Sequence, residues 1–82
     1  MDTKTIIGTH LKDLRLSQQL TQEELSQLAD IDTRHYQRLE NGEKLASLTL
    51  LFKLSTALRI SPDELISPAW KNYKSSLVKN SI

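Results

Sequence analysis

The 82-residue chain has no cysteine, two glycines, two prolines and four aromatic residues: one Trp, two Tyr and one Phe. The first absence removes disulfides, thiolate metal sites and thiol nucleophiles together. So few chain breakers and aromatics, with many Leu, Gln, Glu and Lys, favour helices over strands. No long apolar run is present, and the opening MDTKTIIGTHLKD has neither a signal-peptide core nor a membrane span. A cytoplasmic protein with no membrane partner is expected. Nor does either sign of charge dominate, for the net charge is only +1. Residues 1–41 hold five basic and seven acidic side chains, and residues 42–82 hold six and three. A nucleic-acid partner would therefore require positive charge focused on one face rather than spread over the surface. With 38% hydrophobic residues, this length supports one modest core and no cleft between domains.

What is present is helical periodicity with clear punctuation. Ile7, Leu11 and Leu14 recur at helical spacing, which predicts a first helix over about Thr3–Gln19. Thr21 precedes Glu24 by three residues, the capping-box arrangement, and opens a second helix to about Ala29 with Leu25 and Leu28 turned inward. Asp32 or Thr33 caps a third, which buries Tyr36 and Leu39 and stops at Asn41-Gly42. Ser47 caps a fourth with Leu48, Leu51, Leu54 and Leu58 on its buried stripe. Ser61-Pro62-Asp63-Glu64 starts a short fifth that ends near Ile66. Pro68 then interrupts, and Ala69–Val78 forms a tail or one further short helix. The expected architecture is all-α: a domain of five helices over residues 1–67 and a carboxyl-terminal segment over 68–82.

Two short helices joined by a tight turn form a helix-turn-helix, whose second helix enters the DNA major groove. The segment LKDLRLSQQLTQEELSQLADIDTRHYQRLENG resembles the helix-turn-helix of the Xre family, which includes phage repressor and Cro proteins and restriction-modification controller proteins. The likeness continues through SLTLLFKLSTALRISPDELI, so it covers about residues 6–66. Its combined marks are Leu14-Arg15, Leu20 to Leu25, Leu39 to Gly42 and Ile60 to Leu65.

The resemblance implies roles for particular residues. Gln22 would touch a phosphate and brace a side chain of the third helix. Thr33, Arg34 and Gln37 would face base edges, and Arg38 an edge or a phosphate. Asn41 and Lys44 would grip the backbone, and His35 would face DNA or solvent. The residue types suit these tasks, since Arg gives two donors to guanine and Gln pairs with adenine through donor and acceptor together. Arg15 and Glu40 would pair between the first and third helices. Three positions depart from the family pattern: Asp30 stands at a usual turn glycine, Ala46 at a frequent proline, and Tyr36 at a usually aliphatic inward site, where its hydroxyl must find a partner or reach solvent.

The remaining chemistry-bearing residues suggest no reaction. His10 and His35 have no companion ligands, so no metal or cofactor is expected, and His10 belongs on the polar or boundary face of the first helix. No nucleophile–base arrangement with an orienting third residue stands out, which argues against an enzyme. Trp70 either folds back onto the core or, with Ile60, Leu65, Ile66 and Tyr73, forms a dimer interface. The function expected is a sequence-specific regulator binding double-stranded DNA as a homodimer. The alternative is a protein-interaction module, an antitoxin or adaptor whose main partner is another protein. Free Arg34 and Arg38 side chains favour DNA; neutralised ones favour the alternative.

Overall fold

The computed structural model describes residues 2–80. Its five helices are α1 (Thr3–Ser17), α2 (Gln22–Leu28), α3 (Thr33–Glu40), α4 (Leu48–Leu58) and α5 (Pro62–Asn80), and no strand occurs among the described residues. Each of the first four begins on a side chain that accepts an orphan backbone N–H. Asp2 accepts from Thr5 at 2.8 Å, Thr21 from Glu24 at 3.0 Å, Asp32 from His35 at 3.2 Å and Ser47 from Leu50 at 3.2 Å. At Thr21 the capping box closes, for the Glu24 carboxylate accepts the Thr21 N–H at 2.9 Å.

The same four helices end alike. A left-handed residue follows each one (Gln19, Asp30, Gly42 and Arg59, φ 55–77°), and the next N–H reaches back to a carbonyl of the last turn. These bonds run Leu20 to Arg15, Ile31 to Ser26, Glu43 to Arg38 and Ile60 to Ser55, the Schellman pattern. Asp30 thus makes the turn without a glycine.

Leu11, Leu25, Tyr36, Leu39, Leu54, Leu58 and Leu65 are fully buried at the centre. Helices α1 and α3 cross at Gly8, where an added Cβ would lie 2.6 Å from the carbonyl oxygens of Leu39 and Glu40. Only a residue without a side chain permits that approach.

Three expectations fail. Leu28 is 61% exposed, because Leu25 and Ser26 take the inner side of the seven-residue α2 and its cap, Ala29, is buried beside them. Leu48 is 65% exposed in the first turn of α4, and Ala46 fills the core beside it. Nor does Pro68 divide the C-terminal segment. Helix α5 runs through it without a break, held on either side by the buried Leu65 and Ala69.

Candidate nucleic-acid interface

Helix α3 is fixed from behind by a relay of polar groups. The Arg15 guanidinium donates to both Glu40 oxygens, Nε to Oε2 at 2.9 Å and Nη2 to Oε1 at 2.8 Å, and its Nη1 donates to the Leu20 carbonyl at 2.8 Å. Gln22 Nε2 adds a donor to Glu40 Oε1 at 3.1 Å. Its own Oε1 accepts from Gln37 Nε2 at 3.3 Å. One line of hydrogen bonds thus passes from α1 through α3 and α2 to the outer face of α3.

The electrostatics follow from this geometry. Burial by itself would raise the Glu40 carboxyl, but the hydrogen bonds donated to it, Arg15's foremost, outweigh that and hold it below the usual carboxylate range. The hydrogen bond to Glu40 raises Arg15 in turn, against the opposing effect of burial. Tyr36 is buried with its hydroxyl beside this pair but in hydrogen-bonding geometry with neither, so it finds no partner and does not reach solvent. Desolvation, reinforced by the Glu40 carboxylate, pushes the phenol well above its ordinary value and keeps it neutral.

On the outer side, Arg34 and Gln37 are exposed and Thr33, His35 and Arg38 are half-buried. Arg34, Gln37, Arg38 and Asn41 follow one another at intervals that put them on adjoining faces of the helix and its cap. Among the described residues, neither Arg34 nor Arg38 makes an ion pair or a side-chain hydrogen bond. Asn41 donates weakly to Glu43 at 3.5 Å, and Lys44 is exposed in the same loop. His10 lies elsewhere, half-buried against α5. Among the described residues, no cluster of metal-ligating side chains forms and no helix is long and apolar enough to cross a membrane.

The expected dimer residues separate into two groups. Ile66, Trp70 and Tyr73 are exposed and line an open apolar cleft of about 370 Å³ with Ile7, Leu45 and Leu51. Trp70 and Tyr73 stack with ring centroids 6.2 Å apart, so Trp70 is not folded into the core. Leu65 is fully buried within its own protomer and cannot meet a partner, which corrects its placement in an interface. Ile60 is half-buried against the same core. Leu45 belongs to the cleft but stands outside any periodic apolar pattern, and Gly8 gave no signal beyond its rarity in a helix.

Comparison with known proteins places this geometry. The helix-turn-helix family profile, HTH_3, matches residues 11–65. The control protein C.MunI from Mycoplasma is 39% identical over 67 residues, covering 80% of this chain and 90% of that protein. A helix-turn-helix-type transcriptional regulator, y4dJ, from Sinorhizobium fredii is 31% identical over 68 residues, covering 83% and 88% respectively. The crystal structure of the restriction-modification controller protein C.AhdI from Aeromonas hydrophila superposes with a TM-score of 0.73 at 38% identity, covering 74% of this chain and 92% of that one. With α3 braced and facing outward and family marks over most of its length, the chain belongs to the helix-turn-helix family of DNA-binding transcriptional regulators.

Proposed function

We propose that the chain regulates transcription by binding a two-fold symmetric operator as a homodimer, with α3 of each copy in successive major-groove faces about 34 Å apart. The observation that carries this reading is the combination on α3: a helix braced through Gln22 and Glu40, with Arg34 and Arg38 free of partners among the described residues. Thr33, Arg34 and Gln37 read base edges, and Arg38 and His35 flank them. Gln22, Asn41 and Lys44 contact phosphates, which set register without carrying sequence. Occupancy of a site overlapping or adjoining a promoter is then sufficient for regulation, and no catalytic step is required. Unpaired arginines favour DNA over a protein-interaction role. The 38–39% identity to two controller proteins supports a controller-type role.

The exposed Ile66, Trp70 and Tyr73 supply the surface for self-association. Two linked half-site contacts also answer an energetic need, since one small reading head gains affinity when a second is tethered to it. Selection of bound duplexes from a randomised pool at near-physiological salt tests the reading. Recovery of an inverted repeat with half-sites one helical turn apart is expected. Sequence-blind, steeply salt-sensitive binding overturns it.

A further inference from the structure

A proline inside a helix withholds one N–H and crowds the carbonyl four residues earlier. Pro68 is the seventh residue of α5, so the carbonyl it deprives is that of Glu64. This oxygen has found another donor: Nε2 of His10, on α1, lies 3.1 Å from it. A carbonyl oxygen only accepts, so Nε2 carries the hydrogen in this contact. The sole half-buried imidazole of α1 therefore occupies the gap in the hydrogen-bond ladder of α5.

The apolar cleft straddles that gap. Ile66 precedes Pro68, whereas Trp70 and Tyr73 follow it. A bend at the proline would swing the stacked aromatic pair away from Ile66, Leu45 and Ile7 and split the surface in two. We propose that His10 is a positioning residue for self-association: by replacing the donor that Pro68 lacks, it keeps α5 in line and sets where Trp70 and Tyr73 stand. The consequence for assembly rests on the homodimer reading above, while the effect on α5 does not.

The test is a cycle of variants at positions 10 and 68, read by sedimentation equilibrium and by fluorescence of Trp70, the chain's single tryptophan. Fluorescence is recorded at a concentration where the protein is monomeric. His10→Ala is expected to shift Trp70 emission and raise the dimer Kd about tenfold, the scale of one hydrogen bond. His10→Gln, which keeps an N–H within similar reach, restores most of both. In a Pro68→Ala background the backbone N–H returns to Glu64, and His10→Ala then changes neither reading by more than about twofold. An equal effect of His10→Ala in both backgrounds, or an unchanged emission in the wild-type background, overturns the proposal. Failure of the dimer reading looks different: the wild type stays monomeric at every concentration, and the role in assembly falls with it whatever the emission shows.

Discussion

Arg15 and Glu40, 25 residues apart, meet edge to edge through two hydrogen bonds of 2.9 and 2.8 Å, with side chains only 9% and 3% exposed. A pair so placed contributes little over a well-packed apolar pair, but removing one partner strands a buried charge. Arg15→Ala or Glu40→Ala is expected to lower the unfolding free energy by ~3–5 kcal/mol in urea titration. The double variant Arg15→Ala, Glu40→Ala should lose much less than the sum of the single losses. Additive losses would show that the two residues act independently.

The same pair sets a response to acid. Desolvation acts to raise Glu40, and the donors around it lower it below the ordinary 4.5 by a larger amount. The unfolded chain therefore takes up the proton first, so Glu40 contributes stability above about pH 4.5 that drains away as pH falls through its folded value. Asp2 and Asp63 are lowered as well, by hydrogen bonds from Thr5 and Ser61, but both are fully exposed and add little. The denaturant midpoint should hold from neutrality to about pH 5 and then fall, less steeply in Glu40→Gln. Parallel curves for wild type and variant would remove Glu40 from the acid response.

The starts of α2, α3 and α4 were legible because Thr21, Asp32 and Ser47 each bond locally, within three residues of sequence. Helix ends were only partly so. Gly42 advertises a left-handed backbone and Asp30 tolerates one, but nothing in Gln19 or Arg59 favours it, and the bonds that follow them, Leu20 to Arg15 and Ile60 to Ser55, are not written in their side chains. Pro68 misleads for a related reason: the donor that offsets its missing N–H comes from α1, far away in sequence. Leu28 and Leu48 fit the period of their helices yet lie at the margins of the core, where periodicity does not say how far packing extends. On α3, spacing and family likeness indicated which residues stand outward, that Gln22 braces one of them and that Arg15 pairs with Glu40, whereas the Gln22–Glu40 bond that joins the two into one line needed three dimensions.

Base readers and phosphate grips lose affinity differently. Arg34→Ala is expected to weaken specific binding by ~1–3 kcal/mol and relax preference at particular base positions. Lys44→Ala should weaken binding to all sequences alike and reduce the slope of log K against log salt by about 1. Competition titrations with single-base operator variants at two salt concentrations separate the cases. A uniform loss with Arg34→Ala would move that residue to the phosphates.

Gly8→Ala makes an opposite wager against helix propensity. In an exposed helix interior the change would stabilise by about 1 kcal/mol. Here the new methyl would sit 2.6 Å from two backbone carbonyls of α3, and backbone cannot step aside as a flexible side chain does. Net destabilisation of ~1–3 kcal/mol is expected, with the α1–α3 crossing forced apart. A raised melting temperature would mean that the helices separate at little expense.

Trp70 offers the sharpest division between core and interface. It is 55% exposed and stacked on Tyr73, itself 54% exposed, so a charge at this position meets water in the monomer and would meet an apolar surface in the proposed dimer. Trp70→Asp is therefore expected to leave the unfolding free energy of the monomer within about 1 kcal/mol, as for other exposed sites. Sedimentation should show monomers at concentrations where the wild type is paired. Operator affinity should fall by at least about a hundredfold, because the second half-site no longer binds as part of a tethered pair. Loss of affinity at a single isolated half-site would be much smaller, since α3 and its brace lie away from the substitution. A monomer destabilised by several kcal/mol would instead assign Trp70 to the core, and an unchanged dimer would move the interface off α5.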